Sequence, residues 1–149
     1  LFPSCLSYLP KEYQNDKEMV LAAVNSPNED LESHRKLRIT SCRMCGNKEI
    51  MLAAVKRDGE YLNCATVKLQ DDRDIVLAAV KSKGSVLRYA SARLKKDREI
   101  VFTAVKSEGI ALWNIIHSDL SRDREIVLMA LQSDGNLLPH ITIDLDNDI

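Results

Sequence analysis

Cys42 and Cys45 are separated by two residues, a spacing that occurs in metal sites and in redox-active dithiols. A structural zinc site needs two further ligands, and the nearest candidates are His34 and Cys64. Elsewhere in the chain, the positions equivalent to Cys42 and Cys45 hold alanine and lysine, in a repeat described below. We therefore interpret both cysteines as ordinary residues of that repeat, and we expect no metal and no other cofactor.

The histidines give little support to catalysis. No nucleophile or carboxylate recurs beside His34, His117 or His140 at a catalytic spacing. We expect each of them to lie on the surface or to be half-buried. The chain is therefore predicted to be non-enzymatic and to have no small-molecule substrate.

Arg73, Arg98 and Arg124 recur at intervals of 25 and 26 residues, and Lys17 and Lys48 occupy equivalent positions. On neighbouring repeats these side chains would form a basic ladder, which could bind a phosphate backbone or an acidic peptide. Each of them, however, follows an Asp or Asn and precedes an acidic residue. We therefore favour ion pairs between repeats, and we retain nucleic-acid or polyanion binding as the alternative function.

The elements that position these residues belong to a short repeat. Four segments run from an Asp or Asn to a glycine twelve residues later, and their starts are 25, 25 and 26 residues apart. The polar side chain is suited to an N-cap, and the glycine to a left-handed residue that ends a helix. Between them lie eleven residues with a central apolar run, which predicts an inner-layer helix. The segments are Asn47–Gly59, Asp72–Gly84, Asp97–Gly109 and Asp123–Gly135.

A second apolar stripe follows each glycine, as in Leu87, Ala90 and Leu94. Its i, i+3, i+7 spacing predicts a short amphipathic helix, so that the unit is a helix-turn-helix repeat of about 25 residues. One unit cannot bury enough apolar surface to fold alone, whereas stacked units can. The expected fold is an all-α α-solenoid, a single domain over residues 1–149. We expect a partial repeat over 1–14 and repeats over about 15–45, 46–70, 71–95, 96–121 and 122–147.

The predicted array has one irregularity and incomplete ends. Its first repeat carries Asn28 where the others carry glycine, and it contains an insertion at Glu29–Lys36. The chain begins inside one repeat and stops at Asp148 and Ile149, which match the first residues of another. We therefore expect it to be a fragment of a longer array.

The phrase D-R-E-I-V-L-A-A-V-K, ending in a glycine and followed by a short L-x-x-A helix, resembles the repeat of domain of unknown function 4116. The resemblance extends over nearly the whole chain. It implies the helical-repeat architecture, and it implies no activity and no site residues. It is carried by Asp72–Leu94 and Asp97–Leu120, and more loosely by Asn47–Leu69, Asp123–Leu145 and Asp16–Val24.

Partners of repeat proteins usually contact the positions that vary between repeats. Here the variable positions follow each glycine and each leucine of the second helix, and aromatic and arginine residues are typical of binding hot spots. The alternative is that Tyr89 and Trp113 fill gaps between adjacent helices. We predict a scaffold for protein–protein interaction or a structural subunit of a larger assembly. The candidate contact residues are Tyr61, Arg88, Tyr89, Trp113 and His140.

The composition bears on the kind of partner and on the compartment of the protein. The net charge is −1 and 29% of the residues are charged, which gives no general attraction to nucleic acid. No apolar run approaches the roughly 18 residues that span a bilayer. Four cysteines without a disulfide-framework spacing indicate reduced thiols, so we expect the cytoplasm or another reducing compartment.

Overall fold

The computed structural model describes residues 12, 16–25, 45–116 and 118–134. Within these ranges the chain is helical and contains no strand; it has five long α-helices, and short 3₁₀ helices and turns connect the last four of them. The long helices are α1 (Lys17–Asn25), α2 (Lys48–Arg57), α3 (Arg73–Ser82), α4 (Arg98–Ser107) and α5 (Arg124–Ser133).

A polar side chain begins each long helix, as predicted. Asp97 Oδ1 accepts hydrogen bonds from the backbone N–H groups of Glu99 at 3.0 Å and of Ile100 at 3.3 Å. These bonds satisfy two N–H groups of the first turn that have no partner inside the helix. Asp16, Asn47 and Asp72 each accept two such bonds, and Asp123 accepts one, from the N–H of Glu125 at 3.0 Å.

The long helices end differently from the prediction. Helices α2 to α5 have ten residues each instead of eleven. None of the described glycines has a positive φ, so the prediction of a left-handed glycine at the helix end is wrong for them. After α3, Lys83 is extended (φ −152°, ψ 113°), its N–H donates to Ala79 O at 2.9 Å, and Gly84 opens a 3₁₀ helix. Gly135 lies outside the described residues.

The glycines are required by the packing of one repeat on the next. A Cβ atom on Gly84 would lie 2.1 Å from Ala104 O and 2.9 Å from the backbone nitrogen of Glu108, both at the end of α4. A Cβ atom on Gly59 would lie 2.5 Å from Ala79 O, at the end of α3. The end of a long helix therefore presses on the glycine of the preceding repeat, where a side chain would collide with the backbone.

In the three repeats whose second helix the structure describes, that helix is shorter and less regular than predicted. After α2, α3 and α4, the glycine starts a 3₁₀ helix instead of an α-helix. A further short helical turn then leads to the next N-cap. The 3₁₀ helices are Gly59–Cys64, Gly84–Tyr89, Leu94–Lys96, Gly109–Ile115 and Asp119–Arg122, and one α-helical turn covers Val67–Gln70.

In the repeats that begin with α2 and α3, an extended residue follows the first of the two short helices. Ala90, for example, has φ −67° and ψ 154°. At this break the N–H of Ser91 donates to Gln70 O of the preceding repeat at 3.1 Å. At the equivalent break one repeat earlier, the N–H of Thr66 donates to Cys45 O at 3.3 Å. In a continuous α-helix these N–H groups would bond within their own helix. The break therefore replaces local hydrogen bonds with bonds between repeats.

Consecutive elements pack against each other along the chain. Each long helix contacts the next, from α1 to α5, and the 3₁₀ helices that start at Gly84 and Gly109 also contact each other. The predicted stripe of Leu87, Ala90 and Leu94 is buried. The buried side chains form one hydrophobic cluster through the described repeats. Helices α2 to α5 each contribute a fully buried isoleucine to it: Ile50, Ile75, Ile100 and Ile126.

Candidate functional site

The basic ladder forms ion pairs between neighbouring long helices. Arg73 Nε lies 3.0 Å from Asp97 Oδ2, and its Nη2 pairs with Glu99. Arg98 repeats the arrangement one helix further along, with its Nε 2.9 Å from Asp123 Oδ2 and its Nη2 paired with the next acidic residue of α5. The predicted ion pairs between repeats are confirmed for both arginines. Each guanidinium thus donates to two carboxylates, an arrangement that holds the start of one helix against the next.

Lysines take the same role earlier in the chain. Lys48 Nζ lies 2.7 Å from Asp72 Oδ2, and Lys17 pairs with the acidic residue of the first turn of α2. Within the described residues Arg124 forms no ion pair. Its equivalent acidic partner would be the predicted cap Asp148, which lies outside the described residues.

The ion pairs help to keep the pKa of two capping carboxyls, Asp97 and Asp123, below the ordinary value. The hydrogen bond from Arg98 lowers the pKa of Asp123, and burial opposes this with a smaller effect. Burial raises the pKa of Asp97, but the hydrogen bonds from Arg73 and from the backbone of Ile100 together outweigh it, and the net shift is downward. Asp97 and Asp123 are therefore ionised at neutral pH, and because each guanidinium pairs with two acidic side chains, the paired part of the ladder carries no excess of positive charge.

The cysteines show no arrangement for metal or redox chemistry in the described part of the chain. Cys45 is buried and Cys64 is half-buried. Burial raises the pKa of the Cys64 thiol, which disfavours the thiolate that zinc or a redox reaction requires. Among the described residues, no three His, Cys, Asp or Glu side chains are grouped to hold a metal ion. Cys42, His34 and His140 lie outside these residues.

The candidate contact residues Arg88 and Tyr89 lie together at the end of the 3₁₀ helix Gly84–Tyr89. The Arg88 guanidinium lies 4.7 Å from the centroid of the Tyr89 ring, and its Nη2 donates to Tyr89 Oη at 2.7 Å. Arg88 Nη2 also lies 3.7 Å from a carboxylate oxygen of Glu60 in the preceding repeat, and Glu60 pairs with Lys83 at 2.9 Å. An exposed guanidinium is thus held over a half-buried ring by two neighbouring repeats.

Tyr61 and Tyr89 both pack against the edge of the hydrophobic cluster. Burial is the main cause that raises the pKa of Tyr61 to about 12, and the nearby carboxylate of Asp58 adds to it. The Tyr61 hydroxyl is therefore protonated at neutral pH. Because both rings are half-buried, each offers part of its surface to a partner and uses the rest for packing.

Trp113 exposes more of its surface than either tyrosine. It is 43% exposed, and Ile110, three residues earlier on the 3₁₀ helix Gly109–Ile115, is 52% exposed. Residues i and i+3 lie above one another in a 3₁₀ helix, so these two side chains form one apolar patch. Sequence reasoning selected Trp113 and omitted Ile110. Ile110 could have been selected from the sequence, because it is apolar where the equivalent residues of the two earlier repeats, Glu60 and Ser85, are polar. All three side chains are exposed or half-buried.

Comparison with protein families finds the repeat twice. The family model described as "Domain of unknown function (DUF4116)" matches residues 47–95 and also residues 79–117. No curated protein and no solved structure matches the chain. A search of the described residues finds no helix with the length and hydropathy needed to cross a bilayer.

Proposed function

We propose that the chain, which over residues 47–117 belongs to the domain of unknown function family DUF4116, is a non-enzymatic α-solenoid of stacked helix-turn-helix repeats. In this proposal it serves as a scaffold for protein–protein interaction or as a structural subunit of a larger assembly. The contacts between consecutive long helices and the continuous hydrophobic cluster support the stacked arrangement. The family description names no activity, so the proposal relies on the surface of this chain.

The apolar patch of Ile110 and Trp113 is the observation that carries the proposal. Both side chains are large, and about half of each is exposed to water. Covering such surface is favourable at roughly 25 cal/mol per Å² of apolar area, and tryptophan is enriched among the residues that dominate binding energy. Arg88 and Tyr89 lie on the 3₁₀ helix that packs beside this one. We therefore place Trp113 at the centre of the partner contact and the Arg88–Tyr89 pair at its border.

Polyanion binding along Arg73, Arg98 and Arg124 is the alternative. The ion pairs weigh against it, because a phosphate would have to displace the carboxylates of Asp97 and Asp123. An edge on which each guanidinium already pairs with two carboxylates also gives little of the counterion release that drives binding to nucleic acid. A strongly salt-dependent affinity for RNA or heparin would favour this alternative.

Affinity purification from the native source, followed by mass spectrometry, tests the proposed function. The double variant Ile110→Ser/Trp113→Ala removes the patch. Val67→Ser is the matched control, because Val67 is an apolar residue that is 81% exposed on a different element. We expect a defined protein partner to be retained by the wild type and by the control and to be lost from the double variant. Removing a hot spot costs about 2 kcal/mol or more, a roughly 30-fold loss of affinity.

Urea unfolding of both variants separates loss of binding from loss of folding. Both substitutions are at exposed positions, so we expect unfolding midpoints close to that of the wild type. A partner set that the double variant leaves unchanged would contradict the assignment of Trp113. Recovery of nucleic acid in place of a protein would support the polyanion alternative.

A further inference from the structure

The long helices share an apolar strip on their outward face. We call it the leucine row, and it consists of the fifth residue of each long helix. Its first four members are partly buried against the hydrophobic cluster, and the last is 40% exposed. The row therefore lies at the boundary between core and solvent and crosses one long helix after another. Its members are Leu21, Leu52, Leu77, Phe102 and Leu128.

A lysine row borders the leucine row. Lys56, Lys81 and Lys106 are the ninth residues of α2, α3 and α4, and each follows a leucine-row residue by four positions. Residues four apart lie on the same face of a helix, so the two rows run side by side. All three lysines are exposed, and none of them forms an ion pair with any residue that the structure describes. The row ends at α5, where Gln132 takes the equivalent position.

The opposite border of the leucine row is acidic, and its charge is only partly compensated, because each cation there pairs with two carboxylates. Asp74 pairs with Lys48 at 3.1 Å, and Glu99 pairs with Arg73. The acidic residue at the same position of α5 pairs with Arg98 in turn. Among the residues that the structure describes, the unpaired positive charge of this face is therefore confined to the lysine row, while the acidic border keeps part of its negative charge.

A groove of about 430 Å³ between α2 and α3 brings the two rows together. Leu52 and Lys56 line it from α2, and Leu77 and Lys81 line it from α3. Asp74 also lines the groove, and its carboxylate pairs with Lys48. The groove is open to solvent, whereas a pocket for a small molecule encloses most of its ligand. An open apolar floor with a basic border is suited to a polypeptide that lies across the helices.

We propose that this face binds an extended segment of a partner protein that carries an acidic side chain at every third residue, with apolar residues between them. The spacing supports this register. Packed helices lie about 8–10 Å apart. A polyproline II segment advances about 3.1 Å per residue, or about 9.3 Å in three residues. Acidic side chains at i, i+3 and i+6 would therefore reach Lys56, Lys81 and Lys106, while the apolar residues cover the leucine row.

This inference goes beyond the proposed contact at Trp113, because it assigns a second surface and a different ligand chemistry. The groove lies on the long helices, and Trp113 lies on a 3₁₀ helix. The two surfaces can consequently be tested with separate variants.

Fluorescence anisotropy with a labelled synthetic peptide tests the groove. The probe is a peptide of four Asp-Leu-Pro triplets, and its controls are the same peptide with every Asp replaced by Asn or every Leu replaced by Ser. The protein variant is Lys56→Ala/Lys81→Ala. Its matched control is Lys68→Ala/Lys96→Ala, which removes the same charge from two exposed lysines on other elements.

We expect the probe to bind the wild type at least tenfold more tightly than either control peptide. We expect Lys56→Ala/Lys81→Ala to weaken this binding at least tenfold, and Lys68→Ala/Lys96→Ala to change it less than twofold. An equal loss in the two protein variants would overturn the proposal, because binding would then depend on net charge alone. Equal binding of the probe and the control peptides would overturn it too. Neither failure affects the test at Trp113, because the variant Ile110→Ser/Trp113→Ala keeps all four of the lysines that are substituted in the groove test.

Discussion

Replacing Gly84 with alanine adds one methyl group at the point where two repeats come closest. The new Cβ atom would lie 2.1 Å from Ala104 O, 2.9 Å from the backbone nitrogen of Glu108 and 3.0 Å from the Glu108 Cβ. Two of these atoms belong to the backbone at the end of α4, so rotation of a side chain cannot relieve the contact. The end of α4 would have to move away by about 1 Å, which would disturb close packing between the repeats.

The cost can be estimated from two opposing effects. Forcing an extra methyl group into a packed site costs about 1–3 kcal/mol, and occasionally more. Alanine also restricts the unfolded chain, which returns about 0.4–1 kcal/mol where the backbone conformation suits it. Because Gly84 has no positive φ, this return applies here. The contact with backbone atoms places the cost at the upper end, so we expect a net loss of about 2 kcal/mol.

Urea unfolding followed by circular dichroism measures this loss. In thermal unfolding of a chain of this length, the same 2 kcal/mol would lower Tm by about 4–8 °C. Gly46→Ala is the control, because its Cβ would lie 3.7 Å from Thr66 Cγ2, an ordinary contact. We expect Gly46→Ala to leave stability unchanged or to raise it by up to about 1 kcal/mol. Gly59→Ala should fall between them, because its closest contact is 2.5 Å, to Ala79 O.

Gly84→Asn distinguishes close packing from a left-handed conformation. Asparagine tolerates left-handed backbone better than alanine does, so a left-handed site would accept Asn with the smaller loss of stability. Close packing predicts the opposite order, because Asn carries the same Cβ atom and a larger side chain. If Gly84→Asn is more stable than Gly84→Ala, or if Gly84→Ala is as stable as Gly46→Ala, the packing explanation is refuted.

Two further predictions concern Asp97, which caps α4 and pairs with Arg73. Asp97→Ala removes the cap and should cost about 1–2 kcal/mol in urea unfolding, and an unchanged midpoint would contradict the role of the cap. Stability should also depend on acidic pH, since the pKa values of Asp97 and Asp123 are lower in the folded protein than in the unfolded chain. Their contribution is complete above the unfolded value of about 3.9 and is lost as the pH falls below it through the folded pKa. Thermal unfolding between about pH 2 and 6 measures this loss, and Asp97→Asn should show a shallower dependence than the wild type.

The features predicted correctly depend on residues close together in the sequence or on the strict recurrence of the repeat. Asp97 and its backbone partners are at most three residues apart, so the N-cap could be recognised locally. The buried stripe at Leu87, Ala90 and Leu94 follows from its spacing. The pairing of Arg73 with Asp97 followed from repetition, because equivalent residues of stacked repeats lie side by side.

The features that were missed depend on distances between segments. Gly84 has the same neighbours in sequence whether it is left-handed or pressed against another helix, and only the position of Ala104 distinguishes the two. The 3₁₀ conformation after each glycine could not be predicted either, because the break at Ala90 is stabilised by a bond from Ser91 to the preceding repeat. The lysine row was visible in the sequence, but the groove that Lys56 and Lys81 line together was not.

The sequence by itself determined where the long helices begin, which side chains they bury and how often the unit recurs. These properties follow from hydrogen bonds within one turn and from the period of apolar residues, which any segment carries with it. Only the tertiary structure decided why a glycine follows α2 and α3 and which side chains meet across a groove. Those properties depend on the relative positions, at ångström precision, of residues twenty or more positions apart, such as Gly84 and Ala104 or Lys56 and Lys81.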